Sequence, residues 1–290
     1  MTDTRVPARV FSNAQDEAEA AKHLVQTPQT THPAYKLAFQ DTDFLLRQDL
    51  RPVRFQLELL KPELLLDEAR IASTFVFYGS ARIPEPAKAE VLREVAADEE
   101  SRRIADRLIE KARYYEVARE LARLASRAPH DLEGRRHFVV CSGGGPSIME
   151  AANRGAADEG AESIGLNIVL PHEQTPNPYV TPGLSFQFHY FALRKMHFLL
   201  RARAIAVFPG GFGTFDETFE LLTLIQTGKV SPLPVLMYGR EFWERVVKFD
   251  ALAEEGVISR KDLKLFHFVE TAQEGWDYVR KWWRDRPLDA

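Results

Sequence analysis

The sequence holds a single cysteine, Cys141, in 290 residues. One thiol excludes an intrachain disulfide framework and a four-cysteine zinc site, and such scarcity suits a reducing cytoplasm. Long hydrophobic runs are missing too. No stretch approaches the ~18 uncharged apolar residues that a membrane span requires. The opening MTDTRVPARVFSNAQDEAEA has no apolar core between a basic start and a cleavage site, so no secretory signal is expected. Positive charge is not in excess either: 38 Lys and Arg stand against 42 Asp and Glu, a net charge of −4, whereas nonspecific nucleic-acid binding needs a basic footprint. None of the eight histidines stands in H-E-x-x-H or another paired metal-ligand spacing. The expectation is a soluble cytoplasmic protein that binds neither nucleic acid nor membrane and holds no metal.

What is present is an ordinary globular composition, 45% apolar and 28% charged, in a chain long enough to bury a core without staples. Three zones are expected. Residues 1–33 are polar and small and read as a mobile arm. Residues 34–71 form a helical extension of apolar pairs and charges, which Pro52 and Pro62 should split into short helices. From 72 to 290 short apolar strands alternate with helices. The strands are expected at Thr74–Tyr78, His137–Cys141, Ser163–Val169, Ser185–His189, Ala204–Phe208, Pro234–Tyr238 and Leu265–Val269. A long charged helical stretch from about Ala87 to Arg127 is expected to break near Asp98. This alternation predicts an α/β fold, a doubly wound, Rossmann-like parallel sheet covered on both faces. Its ligand should sit at the carboxyl ends of strands, near a topological switch point.

Two glycine turns stand at such strand ends. Ser142-Gly143-Gly144-Gly145-Pro146-Ser147 precedes one helix, and Pro209-Gly210-Gly211-Phe212-Gly213-Thr214 precedes a second, expected from Phe215 to about Thr227. Glycines allow close backbone approach, and a helix start offers unpaired N–H groups with a partial positive charge, so a phosphate is the natural guest. The sequence GGGPSI fails the dinucleotide fingerprint, because Ile148 holds its sixth place. No G-x-x-x-x-G-K-[ST] loop is present, and Ser147 lacks the closing glycine of a nucleophile elbow. A small phosphorylated molecule without metal survives these exclusions, and no cofactor is expected. Thr214 and Glu217 stand at capping-box spacing, as do Ser147 and Glu150, so both acids are also candidates for satisfying helix N-termini. Cys141 reads as a buried strand-end thiol.

The run PGGFGTFDE, Pro209 to Glu217, resembles the P-G-G-x-G-T-x-x-E signature of the Lonely Guy family, often labelled lysine decarboxylase-like. Arg194-Lys195 in FALRKM matches the family's Arg-Lys pair, SGGGPSIMEAANRGA its glycine-rich turn, and Gly79-Ser80-Ala81-Arg82 its first strand-end turn. The resemblance spans about Phe75 to the carboxyl end. It implies a phosphoribohydrolase that cleaves the N-glycosidic bond of a nucleoside 5′-monophosphate, AMP or a cytokinin nucleotide, and assembles at least as a homodimer. It also implies Arg194 and Glu217 as the catalytic pair, with Ser80, Gly143, Gly144, Gly145, Lys195, Gly210, Gly211, Gly213 and Thr214 binding substrate. Glycosidic cleavage passes through an oxocarbenium-like state that a carboxylate beneath the sugar stabilises. Arg194 cannot act as a general acid, so its role must be electrostatic. His189, Asp216 or the base's own nitrogens are open as the proton source for the leaving base; Met149 and the stretch Leu170 to Thr181 are candidates for its pocket. The decarboxylase label gets no support from the residues: a pyridoxal-phosphate enzyme needs a Schiff-base lysine, and beside Arg194, Lys195 reads better as part of an anion clamp. Two other readings stay open, a non-catalytic nucleotide sensor and a hydrolase of another phosphorylated sugar.

Overall fold

The computed structural model describes residues 12–171 and 175–286. The chain divides into two compact units, Met1–Glu58 and Leu59–Ala290. In the first, residues 1–11 of the stretch read as an arm lie outside the described residues. Asn13 caps the helix Ala14–Ala20 by accepting the Asp16 N–H, and Asp41 caps the short helix Thr42–Leu45. The Arg54 guanidinium donates to the carbonyls of Leu45 and Arg47. No described side chain of this unit is buried.

The helix Arg51–Glu68 corrects the proline reading. Pro52 sits in its first turn, where an N–H has no partner in any case. Pro62 lies inside, yet the helix runs on for 18 residues. The lost hydrogen bond is offset by tertiary contacts beyond it: Pro62 and Leu66 are buried, and Glu63 and Asp67 both pair with Arg201, at 3.0 and 2.7 Å.

Among the described residues, the second unit is built on seven strands: β1 Thr74–Tyr78, β2 Val139–Ser142, β3 Ile164–Ile168, β4 Ser185–Phe188, β5 Ala202–Val207, β6 Val235–Tyr238 and β7 His267–Val269. All pair in parallel, in the order β4-β3-β2-β1-β5-β6-β7. The doubly wound α/β reading is thus correct. Every residue of β1, TFVFY, is buried, as a strand covered on both faces requires. Phe75, Phe77, Val140, Ala204, Ala206 and Leu236 alternate onto one face. They pack there with the helices Arg113–Ser126, Ile148–Asp158 and Ala272–Arg284. At Gly155 a Cβ would strike the Arg119 carbonyl, so glycine lets two of these helices meet backbone to backbone. The opposite face takes the helices Phe191–Leu200 and Phe212–Gln226; Tyr78 of β1 meets Phe198 edge-on at 5.2 Å. The expected break at Asp98 is a capping box with Ser101 that opens the helix Glu99–Lys111.

The chain runs outward from β1 to β4, then returns to place β5 against the free side of β1. The strand order therefore reverses between β1 and β5, and their carboxyl ends diverge into a crevice.

Candidate active site

A cavity of about 820 Å³ opens at that crevice. Its walls come from Gly79–Arg82 after β1, from Gly143 and Met149 after β2, from Phe191, Arg194 and Phe198 on one helix, and from Gly211–Glu217 on the next. Strand ends and helix starts converge there because a parallel sheet sends every strand into its following turn on the same edge.

The second glycine turn starts its helix earlier than the sequence suggests. Helix Phe212–Gln226 has Gly211 as N-cap, and no side chain caps it. Its first amides therefore lack intrahelical partners and flank the cavity through Phe212, Gly213 and Thr214. A Cβ at Gly211 or Gly213 would meet nothing within 4 Å, so space for a ligand lies directly against this backbone. Thr214 is the third residue of the helix and Glu217 the sixth, which removes the capping-box reading of the pair. The box at Ser147 is absent as well: Ser147 has φ +64 and ψ −122 and makes no side-chain cap, and Glu150 instead accepts the Tyr115 hydroxyl at 2.9 Å. T-x-x-E spacing reads alike at a cap and inside a helix; the backbone of the preceding residue decides.

Freed from capping, Glu217 faces the cavity. Its carboxylate lies 4.0 Å from the Arg194 guanidinium, and the two side chains are only 11% and 14% exposed. Burial pushes the Glu217 pKa up from 4.5 to about 7, against the pull of Arg194 and Lys195. Burial also lowers the Arg194 pKa, opposed by Glu217. Arg194 is fixed by its Nε, which donates to the Leu166 carbonyl at 2.7 Å, and by the Phe198 ring beneath its guanidinium. Its remaining guanidinium nitrogens reach toward Glu217 and Gly143. A Cβ at Gly143 would come within 2.6 Å of Arg194 Nη2, so this glycine makes room for the arginine itself.

Residues 149–279 match the family model described as "Possible lysine decarboxylase". A cytokinin riboside 5′-monophosphate phosphoribohydrolase of Arabidopsis thaliana is 27% identical over 153 residues, 51% of this chain and 67% of the relative. A counterpart of the same description in Oryza sativa is 28% identical over 168 residues, 57% of this chain and 65% of the relative. The resemblance to the Lonely Guy family stands. A pyrimidine/purine nucleotide 5′-monophosphate nucleosidase of Escherichia coli is 31% identical over 118 residues, 37% of this chain and 25% of the relative. The match thus spans about two thirds of the plant relatives and a quarter of the bacterial one. The stretch matched by the family model contains Arg194, Lys195, the second glycine turn and Glu217; Ser80 and Gly143–Gly145 precede it.

Of the residues that the Lonely Guy resemblance singles out, the cavity brings together Ser80, Gly143, Arg194, Gly211, Gly213, Thr214 and Glu217. Lys195, Gly144, Gly145 and Gly210 do not line it. Lys195 points the other way, into ion pairs with Asp216 and Glu220 at 3.0 Å each. Burial alone would lower its pKa, but these two partners raise it. Gly210 gives room to the Thr214 side chain, and Gly144 takes φ +74. Met149 and Asp216 line the cavity, whereas His189 and the described residues of 170–181 do not. Wall residues that were not among the expected site residues include Arg82, Phe191 and Phe212. Arg82 was visible in the GSAR turn itself. Phe212, 97% exposed at the rim, is an apolar side chain that the protein's own core leaves uncovered.

Proposed function

We propose that this chain is a nucleoside 5′-monophosphate phosphoribohydrolase: water replaces the base at C1′ of the ribose, giving free base and ribose 5-phosphate. The observation that carries the reading is the buried Glu217 carboxylate, 4.0 Å from Arg194, inside a cavity that also holds an uncapped helix N-terminus. The names of the plant and bacterial relatives point the same way. Phosphate is assigned to the amides around Gly211–Thr214, where charge and open space coincide. Glu217 lies one and a half turns further along, beyond that phosphate, where the ribose would extend. In its ionised form it stabilises the positive charge that develops at C1′ and the ring oxygen, and it can take the proton of the attacking water as the base departs with the bonding pair. Arg194, always cationic, keeps part of the Glu217 population ionised near neutral pH and offers its free N–H groups to a sugar or phosphate oxygen. Met149, Phe191 and Phe212 give the base an apolar wall, suited to AMP or a cytokinin nucleotide. We place the reaction in the cytoplasm and the protein in a homodimer. Among the described residues no helix is long and apolar enough to cross a membrane.

The test is incubation with a panel of purine, pyrimidine and cytokinin 5′-monophosphates, with chromatography for free base and ribose 5-phosphate. Release from at least one nucleotide, and none from its nucleoside, is expected. No release from any member overturns the reading in favour of a nucleotide sensor; release from other phosphorylated sugars alone favours the third reading.

A further inference from the structure

The glycine turn after β2 is held from outside. Asn177, on the segment between β3 and β4, is 6% exposed. Its Nδ2 donates to the Gly144 and Gly145 carbonyls at 3.1 and 3.0 Å, and its backbone N–H donates to the Gly144 carbonyl at 2.8 Å. Asn153 Oδ1 lies 3.0 Å from the same Nδ2 and also accepts the Ser142 hydroxyl. Asn177 Oδ1 accepts the Tyr179 N–H at 3.2 Å, so neighbours at both ends fix which way the amide faces. Two hydrogens thus serve three acceptors in a buried network, where a missing partner is expensive. Tyr179, two residues on, lies under the Arg154 guanidinium, which is paired with Glu85 at 2.7 Å. The segment is therefore pinned at two points.

The other side of the turn is the Arg194 side. Gly143 and Met149 bound the space that the guanidinium fills. A Cβ built at Gly143 would lie 2.6 Å from Arg194 Nη2 and 2.8 Å from Met149 Sδ, so the turn backbone lies directly against the guanidinium. We propose that Asn177 is a positioning residue for the Arg194–Glu217 pair: it locks the glycine turn, and the turn holds the Arg194 guanidinium against the Glu217 carboxylate. The word catalytic for that pair rests on the proposed function; the mechanical link is a property of the unliganded protein and can be tested without it.

Asn177→Ala removes the side-chain donors and leaves the backbone N–H in place. The readout is the titration midpoint of Glu217, followed by carboxyl carbon NMR in the full-length protein without ligand. Arg194 faces Glu217 from the neighbouring helix, where Lys195, paired with Asp216 and Glu220, adds a further positive charge; Tyr78 bears on Glu217 from β1, and Asp216 and Glu220 from its own helix. Of these, Arg194 is the one that lies against Gly143 of the turn. A loosened Arg194 withdraws an attraction, so the midpoint is expected to rise by about half a pH unit or more. The rising limb of kcat/KM against pH should move with it, and kcat should fall at least about tenfold while KM changes less than about threefold. Ser163→Ala, which deletes one bond of the same buried network through Asn153, should leave the Glu217 midpoint in place. If Asn177→Ala does not fold, Asn177→Ser, which retains one donor, is measured instead, with a smaller shift expected in the same direction. A folded Asn177 variant with the wild-type midpoint overturns the proposal, and so does an equal shift in Ser163→Ala. A wild-type protein without nucleotide hydrolysis overturns the proposed function and leaves the midpoint test standing.

Discussion

Glu217→Gln separates the chemistry of Glu217 from its contribution to folding, because the two should change in opposite directions. The folded carboxyl titrates near 7 against an ordinary 4.5. A raised folded pKa means that the native state retains its proton where the unfolded chain has lost it. The contribution of Glu217 is therefore fully present below pH 4.5 and is lost as the pH rises to about 7, after which it stays lost. At about 1.4 kcal/mol per pH unit the ionised, buried carboxylate costs about 3 kcal/mol at pH 8, with the Arg194 attraction already included. Glutamine mimics the protonated form in shape and charge and does not titrate. The variant should match the wild type in stability at pH 4.5 and exceed it by up to about 3 kcal/mol at pH 8. Turnover should meanwhile fall by two or more orders of magnitude, a few kcal/mol of barrier, since the charge beneath the oxocarbenium is gone. Denaturant unfolding at a series of pH values, alongside base release from AMP, measures both. Parallel stability curves for the two proteins from pH 4.5 to 8 would refute the burial argument, and wild-type turnover would refute the mechanism.

Three further outcomes follow from the geometry. Gly211→Val adds a β-branched side chain where a Cβ meets no protein atom within 4 Å; melting should be unchanged while nucleotide binding by calorimetry is lost, and retained binding would move the phosphate elsewhere. Ser147→Gly should raise stability by about 1 kcal/mol, because φ +64 with ψ −122 strains a residue with a Cβ; a lower melting temperature would contradict this. Light scattering at micromolar concentration should give at least a dimer, since the helix Arg51–Glu68 leaves Leu60 and Leu64 52% and 57% exposed; a strict monomer would count against assembly.

The sheet was legible in the sequence because a fully buried parallel strand is a short apolar run, and seven such runs alternate with helices. Arg194 and Glu217 were legible through motifs rather than through any local physical signal. Lys195 is read with them, yet only Arg194 of the two lines the cavity, since adjacent residues of a helix point about 100° apart. Pro62 misled because the proline rule is local, while the helix around it is held by Leu66 and by Arg201, far along the chain. The capping boxes misled because spacing alone does not set a helix start; Gly211 sets it. Asn177 gave no sequence signal, since two of its side-chain acceptors are backbone carbonyls that any residue could supply and the third, Asn153 Oδ1, lies 24 positions away in sequence.

The reversal of strand order has a kinetic side. β1 meets β5 only after the whole β2–β4 half of the sheet has been made, so this pairing is among the longest loop closures in the chain. Ser80, Gly143 and Arg194 belong to the segments on or before that closure, and Gly211 and Glu217 to the segment after it. On the ribosome the first group emerges well before the second. Under the proposed function, binding competence then arrives late in folding, and a nucleotide that grips only the closed arrangement would hold β1 and β5 together and slow their parting.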